Sequence, residues 1–552
     1  MAQNKSISKP DSDDESYIPD SSLDSDSDIT DMQSNSDCNE ENFDLNNETE
    51  NNDTEQIEEK NTEDEGWIDI NDTVPDFEEY PHECKYNIPD NVETPDEMFR
   101  LFLTDEILDK MVLETNSYAE NFVTGSDLKN KSRFKSWKPT DREEMLKFFG
   151  IILVMGLVKV PHINDYWAQN PMYRNEYIGD VMKRDRFLMI LKFWHFSKQR
   201  EGDSTDKLHK IRDVYEMLLA QFRKITVPGK ILVIDESMVP WRGRLQFRQY
   251  IKNKSHKYGV KLYKLCTVDG FTFNMIVYTG KGENGREKDH GMKTVLRLIK
   301  DLEYKGRIVI TDNFYNSVNM AEELLKKKTY LCGTLRSNRK GLPKCIVAKK
   351  IKKGEVIGKM TRKGVRVIKW MDKRQVLMIS TCRNHDAKLE TKTRIRRGRE
   401  ECIKKPGCIF SYNDSKKGID YSDQMSSYYS TLKRGLKWFR KLMLELIFGT
   451  TLVNAWVVYN KKNKKYMPKK LFVESIIEKF TGVPFKNKKN ATEVISEHKY
   501  TMNDKKRRCT GCYEKARQTM TSREADKKVK QIKGFCIGCN KFLCLTCFNE
   551  KH

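Results

Sequence analysis

Two short apolar segments that each lead into an aspartate constrain the fold of this chain more than any other feature. Residues 231–234 read Ile-Leu-Val-Ile and are followed by Asp235. Residues 308–310 read Ile-Val-Ile and are followed by Thr311 and Asp312. Both patterns predict short buried strands that end at the acidic residue. Because an ionised carboxylate is costly to bury without a partner, we expect a bound cation at these strand ends, although a single aspartate can also simply cap the loop that follows.

A third acidic site opens a helical stretch after a glycine turn. Gly418 is followed by Asp420, and Asp423 lies three residues further, on the same helical face. Carboxylates from three separate elements can hold two Mg²⁺ or Mn²⁺ ions, which are hard cations that prefer oxygen ligands. We therefore expect Asp235, Asp312 and Asp420 to be metal ligands, with Asp423 as a supporting residue.

Four motifs in this order resemble those of the piggyBac transposase family. They read Ile234-Asp-Glu-Ser with Arg242-Gly-Arg, Lys252-Asn-Lys-Ser-His-Lys-Tyr-Gly259, Ile310-Thr-Asp-Asn-Phe, and Gly418-Ile-Asp-Tyr-Ser-Asp-Gln-Met425. The similarity runs from about Pro95 to the C-terminus, with Lys417-Gly418 in place of the Gly-Gly of some members.

The resemblance implies phosphodiester hydrolysis and strand transfer on double-stranded DNA. Asp235, Asp312 and Asp420 would hold two ions about 4 Å apart, one activating the attacking water or 3′-OH and the other stabilising the leaving oxygen. We leave Glu236 out of this set because successive strand residues point to opposite faces. The resemblance further implies a homodimer that excises and reinserts an element at TTAA sites through hairpinned ends. The chain shows no Ser–His or Cys–His signature, and we expect no small-molecule substrate.

The net charge of +21 conceals a strong asymmetry along the chain. Residues 1–80 hold 27 Asp and Glu against 3 Lys and Arg, whereas residues 81–552 hold 98 Lys and Arg against 53 Asp and Glu. A folded body with a net charge of +45 favours a polyanionic partner, of which nucleic acid is the usual one. The polar, acidic N-terminal segment is predicted to be a disordered tail over residues 1–84. No run of 18 apolar residues occurs, so no membrane partner is expected.

The rest of the chain is predicted to be a multidomain α+β protein. Apolar residues at three- and four-residue spacing predict helices between 85 and 228, and strands alternate with helices over 229–338. That order allows an RNase H-like catalytic core, and the family resemblance selects it. Residues 339–408 read as a β-rich insertion, after which the core resumes over 409–430. By resemblance, 85–228 and 431–490 form one split helical domain for dimerisation and DNA binding.

Basic residues close to the acidic motifs are the predicted DNA ligands, because Arg and Lys clamp phosphates. Trp438 matches a family tryptophan near the active site, so we expect it to stack on an unpaired or flipped base. Packing against the helical domain is the alternative for this side chain. The predicted set is Arg242, Arg244, Lys254, Lys257, Tyr258, Lys437, Trp438 and Arg440.

Residues 498–552 contain six cysteines at metal-ligand spacing, and we predict that they form a two-zinc cysteine-rich module. Three Cys-x2-Cys pairs with two histidines provide eight ligands, enough for two tetrahedral Zn²⁺ sites. Interleaved pairing is favoured over sequential pairing. One site would be Cys509, Cys512, Cys544 and Cys547, and the other Cys536, Cys539, His498 and His552.

Two other functional classes stay open from the sequence. A domesticated transposase remnant would bind DNA or chromatin without cleaving it, and a RING- or PHD-like zinc module would bind protein, as in a ubiquitin ligase. Neither class needs three convergent carboxylates. The remaining cysteines are scattered, which favours a reducing compartment, and the DNA argument favours the nucleus.

Overall fold

The segments that carry Asp235 and Asp312 are neighbouring strands of one large sheet in the computed structural model of the chain. The structure describes residues 66–71, 76–125, 128, 130, 132–198, 205–252, 256–280, 287–396, 399–433, 435, 437–463, 465–485, 498–537, 539 and 541–551. All of them belong to one unit, Glu63–His552. The predicted tail up to residue 65, Lys254 and His552 lie outside the described residues.

The strands are numbered in chain order. They are β1 (Trp67–Ile68), β2 (Lys85–Tyr86), β3 (Thr226–Val227), β4 (Ile231–Pro240), β5 (Gln249–Tyr250), β6 (Tyr258–Cys266), β7 (Thr272–Val277), β8 (Ile308–Thr311), β9 (Tyr330–Thr334), β10 (Val356–Thr361), β11 (Arg366–Met371), β12 (Gln375–Ser380), β13 (Leu389–Arg396), β14 (Arg399–Pro406), β15 (Tyr500–Arg508), β16 (Gln531–Cys536) and β17 (Lys541–Phe542).

The helices are numbered in the same way. They are α1 (Pro95–Arg100), α2 (Asp105–Gly125), α3 (Arg142–Leu157), α4 (Glu176–Val181), α5 (Arg184–Phe193), α6 (Arg212–Ile225), α7 (His290–Leu298), α8 (Val318–Lys326), α9 (Lys344–Ala348), α10 (Gly407–Ser415), α11 (Lys417–Ser427), α12 (Trp438–Leu444), α13 (Leu452–Lys462), α14 (Lys469–Thr481), α15 (Thr510–Arg517), α16 (Ser522–Lys528) and α17 (Leu545–Lys551). Short 3-10 helices span Arg133–Ser136 and Ile163–Trp167, and a π-helical segment, Glu445–Thr451, joins α12 to α13.

The central strands run in the order β7-β6-β4-β8-β9. Strands β4, β8 and β9 are parallel to one another, while β6 is antiparallel to β4 and β7 is antiparallel to β6. Ile234 of β4 lies opposite Thr311 of β8, so the next residues, Asp235 and Asp312, leave this register side by side. The parallel pair therefore delivers two carboxylates to one place, which is what the sequence pattern predicts.

Strand β4 is longer than the sequence analysis predicts. The apolar run ends at Ile234, but β4 continues to Pro240, and Asp235 and Glu236 pair with Lys264 and Tyr263 of β6. The prediction of a strand that stops at the carboxylates was wrong because β6 continues to offer backbone partners beyond the end of β8. Asp235 is consequently held by backbone pairing on the β6 side.

The segment predicted as a β-rich insertion extends the central sheet. Strand β12 pairs antiparallel with β9, and β11, β10 and β1 follow outward. Strands β13 and β14 form a separate hairpin. The parallel strand β9 would otherwise leave an open edge, and β12 satisfies its backbone groups.

Helices from the two predicted parts of the helical domain pack together. Helix α14 packs on α3, and α13 and α14 both pack on α1. The continuous helical stretch Trp438–Lys462 is long and apolar enough to cross a membrane by length and composition, but 89% of its most apolar window is buried inside the protein. Its apolar surface is therefore covered by the chain itself.

The last part of the predicted disordered tail is ordered, so that prediction was wrong for the described residues between 66 and 84. Trp67 and Ile68 form β1 at the sheet edge. Phe77 packs on Tyr330 with 4.5 Å between ring centroids, and its carbonyl accepts from the Tyr330 hydroxyl at 2.6 Å. Acidic side chains of this segment pair with basic ones of the body, as in Glu78 with Arg383 at 3.2 Å. Its few apolar residues and these ion pairs attach the segment to the body. The overall composition of the segment does not indicate these contacts.

Candidate functional site

Asp235 and Asp312 share one face of the central sheet. Strand alternation places Asp235 on the side of Val233, and Val233 packs in one apolar cluster with Ile310 of β8 and Ile419 of α11. Helix α11 packs against β4 and β6 on this face. The helix that carries Asp420 and Asp423 therefore covers the same face as the two strand carboxylates.

The loop after β8 is fixed by backbone contacts that position Asp312. The Phe314 amide donates to Asp312 Oδ1 at 2.9 Å. The buried Asn316 side chain donates to the carbonyls of Thr311 at 3.1 Å and Thr334 at 2.8 Å, which ties β8 to β9. Ser317 then caps α8, because its side chain accepts a hydrogen bond from the Met320 amide.

The half-buried Asp312 carboxyl lies close to other negative charges. Burial, followed by the negative charge of Glu236, raises the pKa of Asp312 to about 6, while the Phe314 amide, Arg336 and Lys261 act in the opposite direction. The Tyr315 hydroxyl donates to Glu236 at 3.4 Å, and burial together with Glu236, Asp235 and Asp312 holds the pKa of Tyr315 well above its usual value. Several carboxylates thus concentrate negative charge in a region of low solvent access.

This donor set fits a divalent cation. Hard cations such as Mg²⁺ and Mn²⁺ take carboxylate oxygens. Burial is the main cause of the raised pKa of Asp312, the negative charge of Glu236 adds to it, and a bound cation would offset both. Asp235 and Asp312 are residues that could hold such an ion.

Helix α11 presents its two aspartates differently. Asp423 forms an ion pair with the buried Lys264 of β6 at 2.8 Å, and Lys264 is the register partner of Asp235. Asp420, in the first turn of α11, is exposed. Within the part of the chain that the structure describes, Asp235, Asp312 and Asp420 do not form a group whose ligand atoms all lie within 4.8 Å. The structure thus brings Asp235 and Asp312 together and pairs Asp423 with a lysine of the sheet.

Several residues of this region escaped the sequence analysis. Lys264 occurs within the apolar run of β6, and a lysine in such a run is a signal for a buried ion pair. Arg339 donates to the carbonyls of Asn313 at 2.9 Å and Phe314 at 2.6 Å. Glu236 was set aside by strand alternation, yet its charge acts on Asp312. The sequence gives no signal for that interaction, because it depends on how the chain leaves β8.

Part of the predicted DNA-binding set lines the end of β4 and the start of β6. Arg242, Arg244, Lys257 and Tyr258 are exposed. Tyr258 packs against Tyr250 with 4.8 Å between ring centroids, and the Arg248 guanidinium lies 5.3 Å from the centre of the Tyr258 ring. The result is an exposed surface that combines cations with aromatic rings.

The other part of that set is used in packing. Trp438 is half-buried and meets Phe247, which lies between β4 and β5, edge to face at 5.1 Å. The predicted alternative was packing against the helical domain, whereas Phe247 belongs to the segment predicted as the catalytic core. Arg440 donates to the carbonyl oxygens of Trp194 and Lys192. Lys437 is half-buried at the N-terminal end of α12.

The cysteine-rich module is folded around two groups of potential metal ligands. Cys509, Cys512, Cys544 and Cys547 have ligand atoms within 4.8 Å of one another, and His498, Cys536 and Cys539 form a second such group. These are the groups that interleaved pairing predicts, apart from His552. Strands β15, β16 and β17 form one small sheet between them.

The first cysteine group has the spacing of a tetrahedral thiolate site. Cys512 Sγ lies 3.7 Å from Cys544 Sγ and 3.5 Å from Cys547 Sγ, and Zn–S bonds of about 2.3 Å in a tetrahedron give S···S distances of about 3.8 Å. Burial alone would raise the pKa of the Cys509 thiol, but the backbone amides of Cys512 and Cys544 lower it to about 7. This cysteine cluster could therefore hold a metal ion.

Comparison with known proteins gives concordant results. A family model described as Transposase IS4 matches residues 94–456. The human PiggyBac transposable element-derived protein 3 is 27% identical over 383 residues, which is 68% of this chain and 62% of that protein. The human PiggyBac transposable element-derived protein 2 is 23% identical over 386 residues, or 66% and 61% of the two chains. The chain thus spans about three fifths of the length of these relatives.

A solved structure is also similar to this chain. The cryo-EM structure of a piggyBac transposase synaptic complex with hairpin DNA matches it with a TM-score of 0.61 and 25% sequence identity. The match covers 71% of this chain and 80% of the other.

Proposed function

Because the chain belongs to the piggyBac transposase family, we propose that it is a DNA transposase with an RNase H-like catalytic core. The central strand order β7-β6-β4-β8-β9, with three parallel strands beside an antiparallel pair, supports that core. The reaction is phosphodiester hydrolysis followed by strand transfer, which excises an element and inserts it at TTAA sites.

The side-by-side delivery of Asp235 and Asp312 by two parallel strands carries this proposal. Asp235, Asp312 and Asp420 are the residues to hold Mg²⁺ or Mn²⁺, with Asp423 in support. Bound ions of this kind activate a water or a 3′-OH and stabilise a leaving oxygen. Lys264 keeps Asp423 against the sheet, and the Asn316 contacts keep Asp312 beside Asp235.

The DNA path that we propose follows the exposed cations beside this site. Arg242, Arg244 and Lys257 contact phosphates, with Lys254, and Tyr258 offers a ring to a sugar or base. Trp438, Lys437 and Arg440 contact the DNA after a local opening of the packing around Phe247. The net charge of +45 over residues 81–552 supports a polyanionic partner such as double-stranded DNA.

The remaining parts complete a nuclear, homodimeric enzyme. The cysteine groups hold two structural Zn²⁺ ions, with His552 as the eighth ligand, and this module reads the transposon end. The split helical domain supports dimerisation and DNA binding.

Cleavage of a defined duplex tests the proposal. The wild-type protein in Mg²⁺ should cut a duplex that carries the element's terminal repeats flanked by TTAA. Asp312→Asn should lower the cleavage rate by more than about a hundredfold. Mutation of a residue that only hydrogen-bonds to a metal ligand typically costs about 10- to 100-fold, and loss of a ligand itself should cost at least as much. It should still bind the duplex in a mobility-shift assay.

The matched control is Asp301→Asn, which changes an exposed aspartate of the same catalytic segment. That variant should cut at the wild-type rate. Full cutting by Asp312→Asn would remove this residue from the site.

A second candidate is a domesticated protein that binds DNA or chromatin without cleaving it. Two observations favour it: the relatives named above are described as derived from a transposable element, and Asp420 is exposed in the described structure. Duplex binding by the wild type without any cleavage in Mg²⁺ or Mn²⁺ would establish this alternative.

A further inference from the structure

Four charged residues link the central sheet to the helices that follow α11. Lys264 of β6, whose side chain is 1% exposed, pairs with Asp423 of α11. Lys469 of α14 is buried, and the carboxylate of Glu445 interacts electrostatically with Lys264, Asp423 and Lys469. Burial raises the pKa of Glu445 and lowers that of Lys469 to about 8. Because buried ion pairs add little net stability, this arrangement points to a role in positioning.

The Glu445 carboxylate occupies a space made by an unusual helix geometry. Glu445 begins the π-helical segment, and Ser426 of α11 donates to Glu445 Oε1 at 2.6 Å. A Cβ atom at Gly449 would collide with Glu445 Oε1 and with Ser426 Oγ. The widened helix and the glycine together admit a carboxylate that contacts α11. Single π-helical turns inside α-helices frequently occur at functional sites.

Lys469 holds the C-terminal end of α11. Its Nζ donates to the carbonyls of Met425 and Tyr428, the latter at 2.9 Å. The last carbonyls of a helix lack intrahelical partners and attract cations. The chain then turns at Tyr429, whose φ is +59°. The Tyr429 carbonyl lies so close to Gly156 of α3 that a side chain at position 156 would collide with it. The exit of α11 is thus fixed between α14 and α3.

We propose that Glu445 and Lys469 are positioning residues that set where α11 presents Asp420 and Asp423 to the carboxylates of β4 and β8. The inference rests on the proposed function. Helix α11 is held near its middle by the pair of Lys264 with Asp423, in its last turn by Glu445 through Ser426, and at its C-terminal end by Lys469. A shift of this helix moves both of its aspartates relative to Asp235, without any change in the metal ligands themselves.

The test uses two variants that leave the carboxylate set intact. Glu445→Gln retains the shape of the side chain and an acceptor for Ser426 but removes the charge, and Lys469→Met removes the donors to α11. Lys470→Met is the matched control, since Lys470 is the next residue, is 58% exposed and pairs only at 3.6 Å with Glu474.

The first measurement is the Mn²⁺ concentration that gives half-maximal single-turnover cleavage of the TTAA-flanked duplex. We expect it to rise about tenfold or more in both variants, the effect typical of residues that orient metal ligands. Duplex affinity should stay unchanged, and the control should match the wild type. An unchanged Mn²⁺ requirement in folded variants would overturn the proposal.

The second measurement is hydrogen exchange of residues 417–428 without metal or DNA, which does not depend on activity. Exchange should be faster in both variants and not in the control, while β4 and β8 keep their protection. Unchanged exchange in α11 would also overturn the proposal. If α11 responds but the wild type does not cleave, the positioning role is supported and the proposed function is the part that fails.

Gly449→Ala is a further variant that tests the role of Glu445 if Glu445→Gln does not fold. It preserves every charge but displaces the Glu445 carboxylate, so it should raise the Mn²⁺ requirement in the same way. A wild-type requirement in Gly449→Ala would count against the role of Glu445.

Discussion

A buried histidine makes the stability of the folded chain depend on pH. His385 Nδ1 lies 2.7 Å from Ser380 Oγ, and its Nε2 lies 2.9 Å from Ser411 Oγ. Burial, followed by the positive charges of Arg366 and Lys230, lowers the pKa of His385 to about 4. In the unfolded chain the imidazole binds a proton below about pH 6.5, whereas in the folded chain it stays neutral down to about pH 4. The stabilisation of the folded state by the neutral imidazole is therefore complete above pH 6.5. It decreases by about 3 kcal/mol as the pH falls toward 4.

Chemical denaturation of His385→Gln at several pH values checks this expectation. The variant should be less stable than the wild type at pH 7, yet its free energy of unfolding should fall by about 3 kcal/mol less between pH 6.5 and pH 4. His162→Gln, at an exposed position, should follow the wild-type pH dependence. The same pH dependence in His385→Gln would show that this imidazole is not the group responsible.

The sequence predicted where the acidic residues lie relative to the strands better than it predicted which side chains contact them. An apolar run before an aspartate is a local pattern, and it correctly predicted that central strands lead into Asp235 and Asp312. That Lys264 lies opposite Asp235 depends on the register between β4 and β6. Register depends on the buried faces of both strands and on the connection between them, which here spans residues 241–257, so no pattern around one residue alone predicts it.

At the level of secondary-structure elements, averages over long segments concealed that the described residues between 66 and 84, here called the strap, dock on the sheet. Composition over 1–80 is dominated by acidic residues, which predicted disorder for the whole segment. Docking, however, needs only a few apolar side chains at the right positions, such as Trp67 and Phe77. The strap meets partners on β9 and β10 that lie hundreds of residues away, and single-sequence patterns do not report such contacts.

Truncation of Phe77 should measure the contribution of this strap. Phe77→Ala removes the ring contact with Tyr330, and because Phe77 is half-buried we expect a loss of about 2 kcal/mol, below the usual cost of a fully buried phenylalanine. Urea denaturation gives the value, with a matched loss of protection in β9 by hydrogen exchange. Met172→Ala, at a side chain that is 70% exposed, should change stability by less than about 0.5 kcal/mol. An equally small change in Phe77→Ala would mean that the Phe77 ring contact adds no stability.

For the molecule as a whole, the family resemblance supplied what local patterns could not. Helical spacing alone predicted helices before and after the strand region, whereas the resemblance predicted that they belong together, and α14 does pack on α3. The β-rich segment was predicted as an insertion because its strands follow the first part of the core. Its continuation of the central sheet through β12 and β9 depends on an open strand edge, which exists only in three dimensions.

The cysteine-rich module should depend on metal while the sheet body does not. Its apolar cluster consists of a few residues, chiefly Leu543 and its own cysteines, and so small a core needs a metal ion for stability. We expect two zinc ions per wild-type chain by elemental analysis, one in Cys536→Ser and two in Cys345→Ser, which alters an exposed cysteine outside the module. Chelation should expose the amides of 498–551 to rapid hydrogen exchange while β4 and β8 remain protected. A wild-type chain with a single zinc ion would refute the second site, and loss of protection in β4 on chelation would show that the body also depends on the module.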